Sequence, residues 1–246
     1  MITVRSGLRA PQIFKALILV AALTVAVAAG CSKTPEPGPE SVPAEPTVTA
    51  PEAVTKSRNA MADLVSFRFE LTHDSGFTAL SGGLELTRAG GVVTQNGLDL
   101  EAEAKIGRAF VRVEAVVIDD QTWMTNPLTG AWSEIPPEDS PFSFLDPVKL
   151  VADILGDTQD AVFPENPRAN GDITITGRIK ATALAALVGV VDPDAVPAVT
   201  LTLSSDTYLL KKIVIVGVAQ PEDDENTTRV ISLSEFDNPV SLKPPI

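Results

Sequence analysis

The 246-residue chain is poor in reactive and ring-bearing side chains: one cysteine, one histidine, one tyrosine, two tryptophans, and aromatics at only 5%. Each scarcity removes a class of function. A single cysteine, Cys31, allows no intramolecular disulfide, so the fold rests on its core alone. A zinc site would need several carboxylates beside the one histidine, and none stand at ligand spacing. That histidine, His73, sits in Thr72-His73-Asp74-Ser75. Neighbours on an extended chain point to opposite faces, so this cluster cannot form a Ser-His-Asp triad and reads as a strand-end polar group. G-x-S-x-G, P-loop, G-x-G-x-x-G and H-E-x-x-H patterns are all missing. The expectation is a protein that is not an enzyme and has no metal or resident cofactor. Glu222-Asp223-Asp224-Glu225 lacks the ligand spacing and turn glycine of a calcium loop and reads as a solvated hairpin tip.

Acidic residues are missing from the start of the chain: none precedes Glu36. Arg5, Arg9 and Lys15 lead into an uncharged run, Ala16 to Ala29, with the length of a signal-peptide core and too short to span a bilayer. Val27-Ala28-Ala29-Gly30 then brings small residues up to Cys31. A bacterial lipobox usually has Leu where Ala28 stands, so the match departs there. Residues 1–30 are expected to be a lipoprotein signal peptide, with Cys31 the lipidation site. Its thiolate supplies the soft nucleophile for a thioether to diacylglycerol, and added acyl chains such as palmitate, at roughly 0.8 kcal/mol per buried CH₂, make the anchor stable. The expected location is extracytoplasmic, lipid-anchored to the bacterial cell membrane. The alternatives are an uncleaved signal anchor or a secreted protein with a free thiol.

Basic residues are also few, 19 against 32 acidic, for a formal charge of −13, and loss of Arg5, Arg9 and Lys15 with the leader takes it to −16. Such a surface repels nucleic acid and anionic head groups, so no nucleic-acid partner and no polybasic membrane patch is expected. Residues 31–51 hold Pro35, Pro37, Pro39, Pro43, Pro46 and Pro51 and read as an extended tether reaching on the order of 60 Å at about 3 Å per residue.

What is present is a strand-rich domain over residues 52–246. A helix is expected from Glu52 to Leu64. Val65, Phe67, Phe69 and Leu71 then alternate with polar residues as a half-buried strand. Leu84 and Leu86 lie on a short run, and Gly90-Gly91 begins another pair of runs. Asn96-Gly97 marks a tight turn. Leu98 to Ile106 and Val111 to Val117 alternate likewise, and Gln121–Met124 pairs with Ala131–Ile135 across Asn126-Pro127-Leu128-Thr129-Gly130. Asp146-Pro147 caps a helix with Val148, Val151, Ile154 and Leu155 as its apolar stripe. A second apolar helix is expected over Ala181 to Val191, among strands near Ile173, Val199, Tyr208 to Val218 and Val230 to Phe236. Nine to eleven strands and three helices without βαβ alternation predict an α+β fold, a large curved antiparallel sheet with helices covering its concave face. Trp123 and Trp132 fit either packing of the hairpin or an apolar mouth. Ala102, Ala104 and Ala115 on the inward face fit either close helix packing or a hollow.

Taken in order, the first helix with Val65–Leu71, the hairpin Thr122-Trp123-Met124 to Gly130-Ala131-Trp132, the Asp146-Pro147 helix and the closing Leu233-Ser234-Glu235-Phe236-Asp237-Asn238-Pro239-Val240 resemble the LppX/LprG family of bacterial lipoproteins, which is similar to LolA and LolB. The resemblance implies a U-shaped half-barrel whose concave side, closed by helices, holds the acyl chains of lipids or lipoglycans as cargo. It implies lipid binding and transport in the cell envelope by a monomer on its lipid anchor, with an envelope transporter as a further partner. The family offers no catalytic residues to carry over. Face alternation then assigns the cavity lining to Phe67, Phe69, Leu84, Leu86, Leu100, Val111, Val113, Trp123, Leu150, Ile154, Leu184, Leu187 and Val188. The alternative is an envelope scaffold lipoprotein with a filled core and no lipid cargo.

Overall fold

The computed structural model describes residues 48–80, 83–119, 121–136 and 145–246. The signal sequence, Cys31 and nearly all of the proline-rich tether expected above lie outside the described residues.

Helix α1 (Ala50–Ala62) starts where a side chain can replace the missing backbone partners of a first turn. Thr49 and Glu52 form a reciprocal capping box: the Thr49 hydroxyl accepts from the Glu52 N–H at 3.4 Å, and Glu52 Oε2 accepts from the Thr49 N–H at 2.8 Å. Accepting from the Thr49 N–H and, at 2.9 Å, from the Thr49 hydroxyl holds the Glu52 carboxyl below its usual range. With Pro51 in the first turn, the helix begins two residues before the expected Glu52.

The strands follow as β1 (Ser66–Ser75), β2 (Thr78–Leu80), β3 (Leu84–Thr94), β4 (Gly97–Ile106), β5 (Ala109–Ile118), β6 (Gln121–Thr125) and β7 (Trp132–Ile135). Helix α2 (Pro147–Asp157) interrupts them, its N-cap Asp146 accepting from the Lys149 N–H at 2.9 Å as the Asp-Pro signal predicts. After β8 (Gln159–Val162), β9 (Arg168–Ala169) and β10 (Asp172–Arg178) comes the expected second helix, which is shorter than Ala181 to Val191. It is a 3₁₀ turn, Ala181–Leu184, running into α3 (Ala185–Val188), and Gly189 ends it at φ +72°. The chain closes with β11 (Ala198–Ser204), β12 (Leu210–Val216) and β13 (Thr228–Ser234).

All strands join one antiparallel sheet in the order β7-β6-β5-β4-β3-β1-β13-β12-β11-β10-β8, with β2 on β3 and β9 on β10. It does not close: β7 and β8 are its ends. Thirteen strands exceed the expected nine to eleven because short pieces such as β2 and β9 carry too little periodicity to register. Conversely, the two runs expected around Gly90-Gly91 are a single strand, β3. The glycines mark a bend. A Cβ at Gly91 would lie 1.8 Å from the Asp99 carbonyl oxygen, so only glycine lets β3 hug β4 there.

Register fixes the two faces, since directly opposed residues share one. One concave row runs Ile175–Leu201–Ile213–Ile231–Leu71–Ala89–Ala102–Val113, and beside it Leu233–Phe69–Gly91–Leu100–Ala115–Met124. The first row is bulky on β10 to β13 and mostly small on β3 to β5. On the opposite face, Arg68, Val92, Asp99, Val116 and Trp123 align. Pro147, Leu150, Val151, Ile154 and Leu155 of α2 are buried in the core, whereas Val148, expected on the same stripe, is exposed. Residues 45–246 form one compact unit that contains the strands, helices and core of the described residues.

Candidate functional site: an apolar concave face under two helices

The concave face of β1 and β13 meets α2 and α3 around a small, partly open hollow. Phe69, Leu71, Ile231 and Leu233 form its floor, Leu145, Pro147, Leu150 and Val151 one wall, and Leu187 the other. Its volume is about 10 Å³, room for roughly one water. Every lining side chain is apolar. The helices are fastened over the floor by few polar links. The Asp146 N–H donates to the Ala186 carbonyl at 3.1 Å, tying α2 to α3, and the Lys180 N–H donates to Asp157 Oδ2 at 2.7 Å.

The structure distributes the thirteen residues of the expected lining as follows. Phe69, Leu150 and Leu187 border this hollow. Phe67, Leu86, Leu100, Ile154, Leu184 and Val188 lie in the same core cluster, with Leu84 partly buried against it. Val111 and Val113 hold concave register positions on β5, paired with Ala104 and Ala102. Trp123 does not belong with them. It pairs with Val116, which pairs with Asp99, and so lies on the convex face. Trp132 pairs with Thr125 on that face too. The hairpin packing reading therefore fits both tryptophans better than the mouth. Its phase was hard to read because Trp123 and Met124 are adjacent and both large, and it is Met124, opposite Ala115, that turns inward.

Polar groups close one end of the concave face, and periodicity alone did not reveal them. In the row beyond Ile231, Ile215, Arg229 and His73 pair side by side. The Arg229 side chain is fully buried. Its Nη1 and Nη2 donate to Asp223 Oδ2 and Oδ1 at 2.9 and 2.7 Å, a bidentate pair. Nη2 also reaches the Phe77 carbonyl and Gln220 Oε1, both at 3.0 Å, and Nε donates to the Thr78 hydroxyl at 3.0 Å. Gln220 Nε2 donates to the Ala79 and Val188 carbonyls, which pins β2 and the end of α3 to the β12–β13 loop. Asp223 is thus buried and is no part of a solvated tip, correcting the reading of Glu222–Glu225. The available signal was Arg229 itself, a lone charge in an otherwise uncharged strand.

His73 completes the cluster. Its Nδ1 lies 3.0 Å from the Thr87 carbonyl and its Nε2 3.0 Å from the Thr78 hydroxyl. A carbonyl only accepts, so Nδ1 carries the proton. Burial, with the Arg229 charge adding to it, pushes the imidazole below its ordinary 6.5. The neutral ring then accepts the Thr78 proton at Nε2 while Thr78 accepts from Arg229. Every member of the chain is satisfied.

Among the described residues no three His, Cys, Asp or Glu side chains cluster as a metal site would require. The class of protein defined here is an unclosed antiparallel half-barrel, apolar on its concave face and crossed there by short helices. Comparison with known proteins makes the assignment specific. The model of the LppX_LprAFG lipoprotein family matches residues 49–242, and the chain belongs to that family. The crystal structure of LprF from Mycobacterium bovis superposes with a TM-score of 0.59 at 17% identity, covering 80% of this chain and 96% of LprF. Lipoprotein LppX from Mycobacterium tuberculosis gives 0.54 at 18% identity, covering 79% of this chain and 98% of LppX. No curated protein sequence matches significantly. At these identities the neighbours establish the fold alone, and the family is one of lipoproteins.

Proposed function

We propose that this chain is an extracytoplasmic lipoprotein, anchored through acylated Cys31, that takes up the acyl chains of a lipid or glycolipid between its concave sheet face and helices α2 and α3, and carries or presents that lipid within the envelope. One observation carries the reading: an apolar floor lies under α2 and α3 at β1 and β13 and continues across the sheet with small residues at Ala89, Gly91, Ala102 and Ala115. Such a floor gives an alkyl chain the dry surroundings that water denies it. The physical step is partition, and it needs no chemical energy from the protein.

On this reading the described structure is a closed state. Sites for ligands of this kind run to several hundred Å³, against about 10 Å³ here, so cargo would enter only as α2 and α3 move off the floor. The same number favours the second reading, a scaffold lipoprotein with a filled core. Mass spectrometry of an organic extract of residues 45–246, purified without detergent, separates the two. Stoichiometric lipid is the expected result, and Leu187→Phe should lower its amount while leaving the protein folded. A lipid-free domain that also takes up no fluorescent fatty acid would establish the filled-core scaffold instead.

A further inference from the structure

Two hairpin tips occupy the same end of the sheet. Strands β5 and β6 pair through Ala115–Met124, so the β6–β7 turn projects beside β5 in the direction of the β4–β5 turn. Continuing the ladder brings Leu128 level with about Val111, beside Phe110 on the adjoining strand about 4.8 Å away, with the Gly107–Arg108 turn about three residues further out. Both carry large apolar side chains in water: Phe110 is 77% exposed, Leu128 88% and Ile106 47%. Leu128 is not merely loose. Asn126 Oδ1 accepts from the Leu128 and Thr129 N–H groups at 2.9 and 3.1 Å, and the Gly130 N–H donates to the Asn126 carbonyl at 2.8 Å, so an ordered turn holds the leucine outward.

The charge around these tips opposes that of the chain. Between Glu103 and Glu114 stand Lys105, Arg108 and Arg112 with no acid, and from Gln121 to Ser133 there is no charge at all. Arg112 is paired with Glu101, whereas Lys105 and Arg108 have no ion-pair partner among the described residues, Glu85 being the acid opposite Lys105 on the ladder. The Lys105 ammonium lies 5.2 Å from the Phe110 ring centre, so cation and aromatic ring form one unit. A net charge of −13 argues against a cationic contact only if charges act at long range. With a screening length of about 8 Å, a surface meeting this corner feels the corner. The acidic Glu222, Asp224 and Glu225 lie on the β12–β13 loop, three to four strands from β4, roughly 15–20 Å, and farther still from the β6–β7 tip.

From this juxtaposition we infer that the β4–β5 and β6–β7 tips are a docking corner for an anionic lipid bilayer, with Phe110 and Leu128 entering the interface and Lys105 and Arg108 meeting its phosphates. The acidic loop holds the opposite corner off the same surface, so the domain lands tilted. The inference stands whether or not the concave face takes cargo.

The test uses residues 45–246, which contain the whole sheet and core, with vesicles of phosphatidylcholine alone or mixed with phosphatidylglycerol. Flotation should show binding to the mixed vesicles that weakens with salt. Phe110→Ser with Leu128→Ser should lower it about tenfold or more, and Arg108→Glu should lower it on mixed vesicles only. Because this segment has no cysteine, Leu128→Cys and Glu222→Cys can each carry a polarity-sensitive dye. A blue shift on mixed vesicles is expected at 128 and not at 222. Equal shifts at both positions, no shift at 128, or flotation unchanged by the double substitution would overturn the docking corner. Lipid in the organic extract of the double variant reports the cargo reading separately, since neither tip residue borders the hollow.

Discussion

At the scale of single residues, the buried cluster around Arg229 matters most, because it is where pH acts on the fold. His73 is neutral inside, with a folded pKa below its ordinary 6.5, so between those two values the unfolded chain binds the extra proton. Stability is therefore fully present above about pH 6.5 and declines as pH falls through that value toward the folded one. Protonation would also set a second N–H donor against the Thr78 hydroxyl, which already accepts from Arg229. Urea midpoints measured at about pH 7 and pH 5.5 should fall in the wild type and fall less in His73→Asn, and an identical fall in both would remove His73 as the cause. A buried polar cluster is costly only when half-satisfied, and this one is complete.

At the scale of elements, α2 is the piece that must move if the floor is to be reached. Its start depends on Asp146, whose carboxylate caps the first turn and whose backbone N–H holds α3. Asp146→Ala should cost about 1 kcal/mol of stability, the usual worth of such a cap, visible as a lower melting temperature. If α2 is the lid, the same change should speed uptake of a fluorescent fatty acid, and slower or unchanged uptake would place the lid elsewhere. The elements differ in how well they could be read beforehand. Strands with one clean apolar face, such as Phe67-Arg68-Phe69-Glu70-Leu71, declare their phase, and the Asp146-Pro147 start declares its helix. Trp123-Met124 puts bulk on both faces, so only pairing with Ala115 settles which side is inward. Gly90-Gly91 looks like a break between strands and is a bend within one, because its cause, the close approach of Asp99, comes from a residue on the next strand. The Asp223–Arg229 pair was likewise invisible locally: a run of four acids reads as solvated until a buried cation is brought beside it.

At the scale of the molecule, the first and last strands pair with each other. Partners such as Phe69 with Leu233 and Leu71 with Ile231 join the β3–β7 half to the β12–β8 half. The Val65 N–H also donates to Asp237 Oδ1 at 2.8 Å, a bond between residues 172 apart in sequence. A chain ending at residue 227 would lack the strand that unites the halves and should show no cooperative unfolding transition by circular dichroism, whereas a persisting sharp transition would show the halves to be independent. Folding that waits on such distant partners is slow compared with that of helical domains.

The far edge of the sheet has a consequence for crowding. The edge of β10 is covered by two short pieces, β8 and β9, with Pro164 and Pro167 between them, and neither piece offers a long run of unpaired backbone groups. If the proposed acylated Cys31 confines the protein to a membrane plane, it meets its own copies far more often than a protein free in three dimensions. There, an uninterrupted edge would invite the next molecule to extend the sheet, and a row of tethered domains would become a ribbon. On that proposal, two prolines in one connection would help keep neighbours on the same surface as separate molecules.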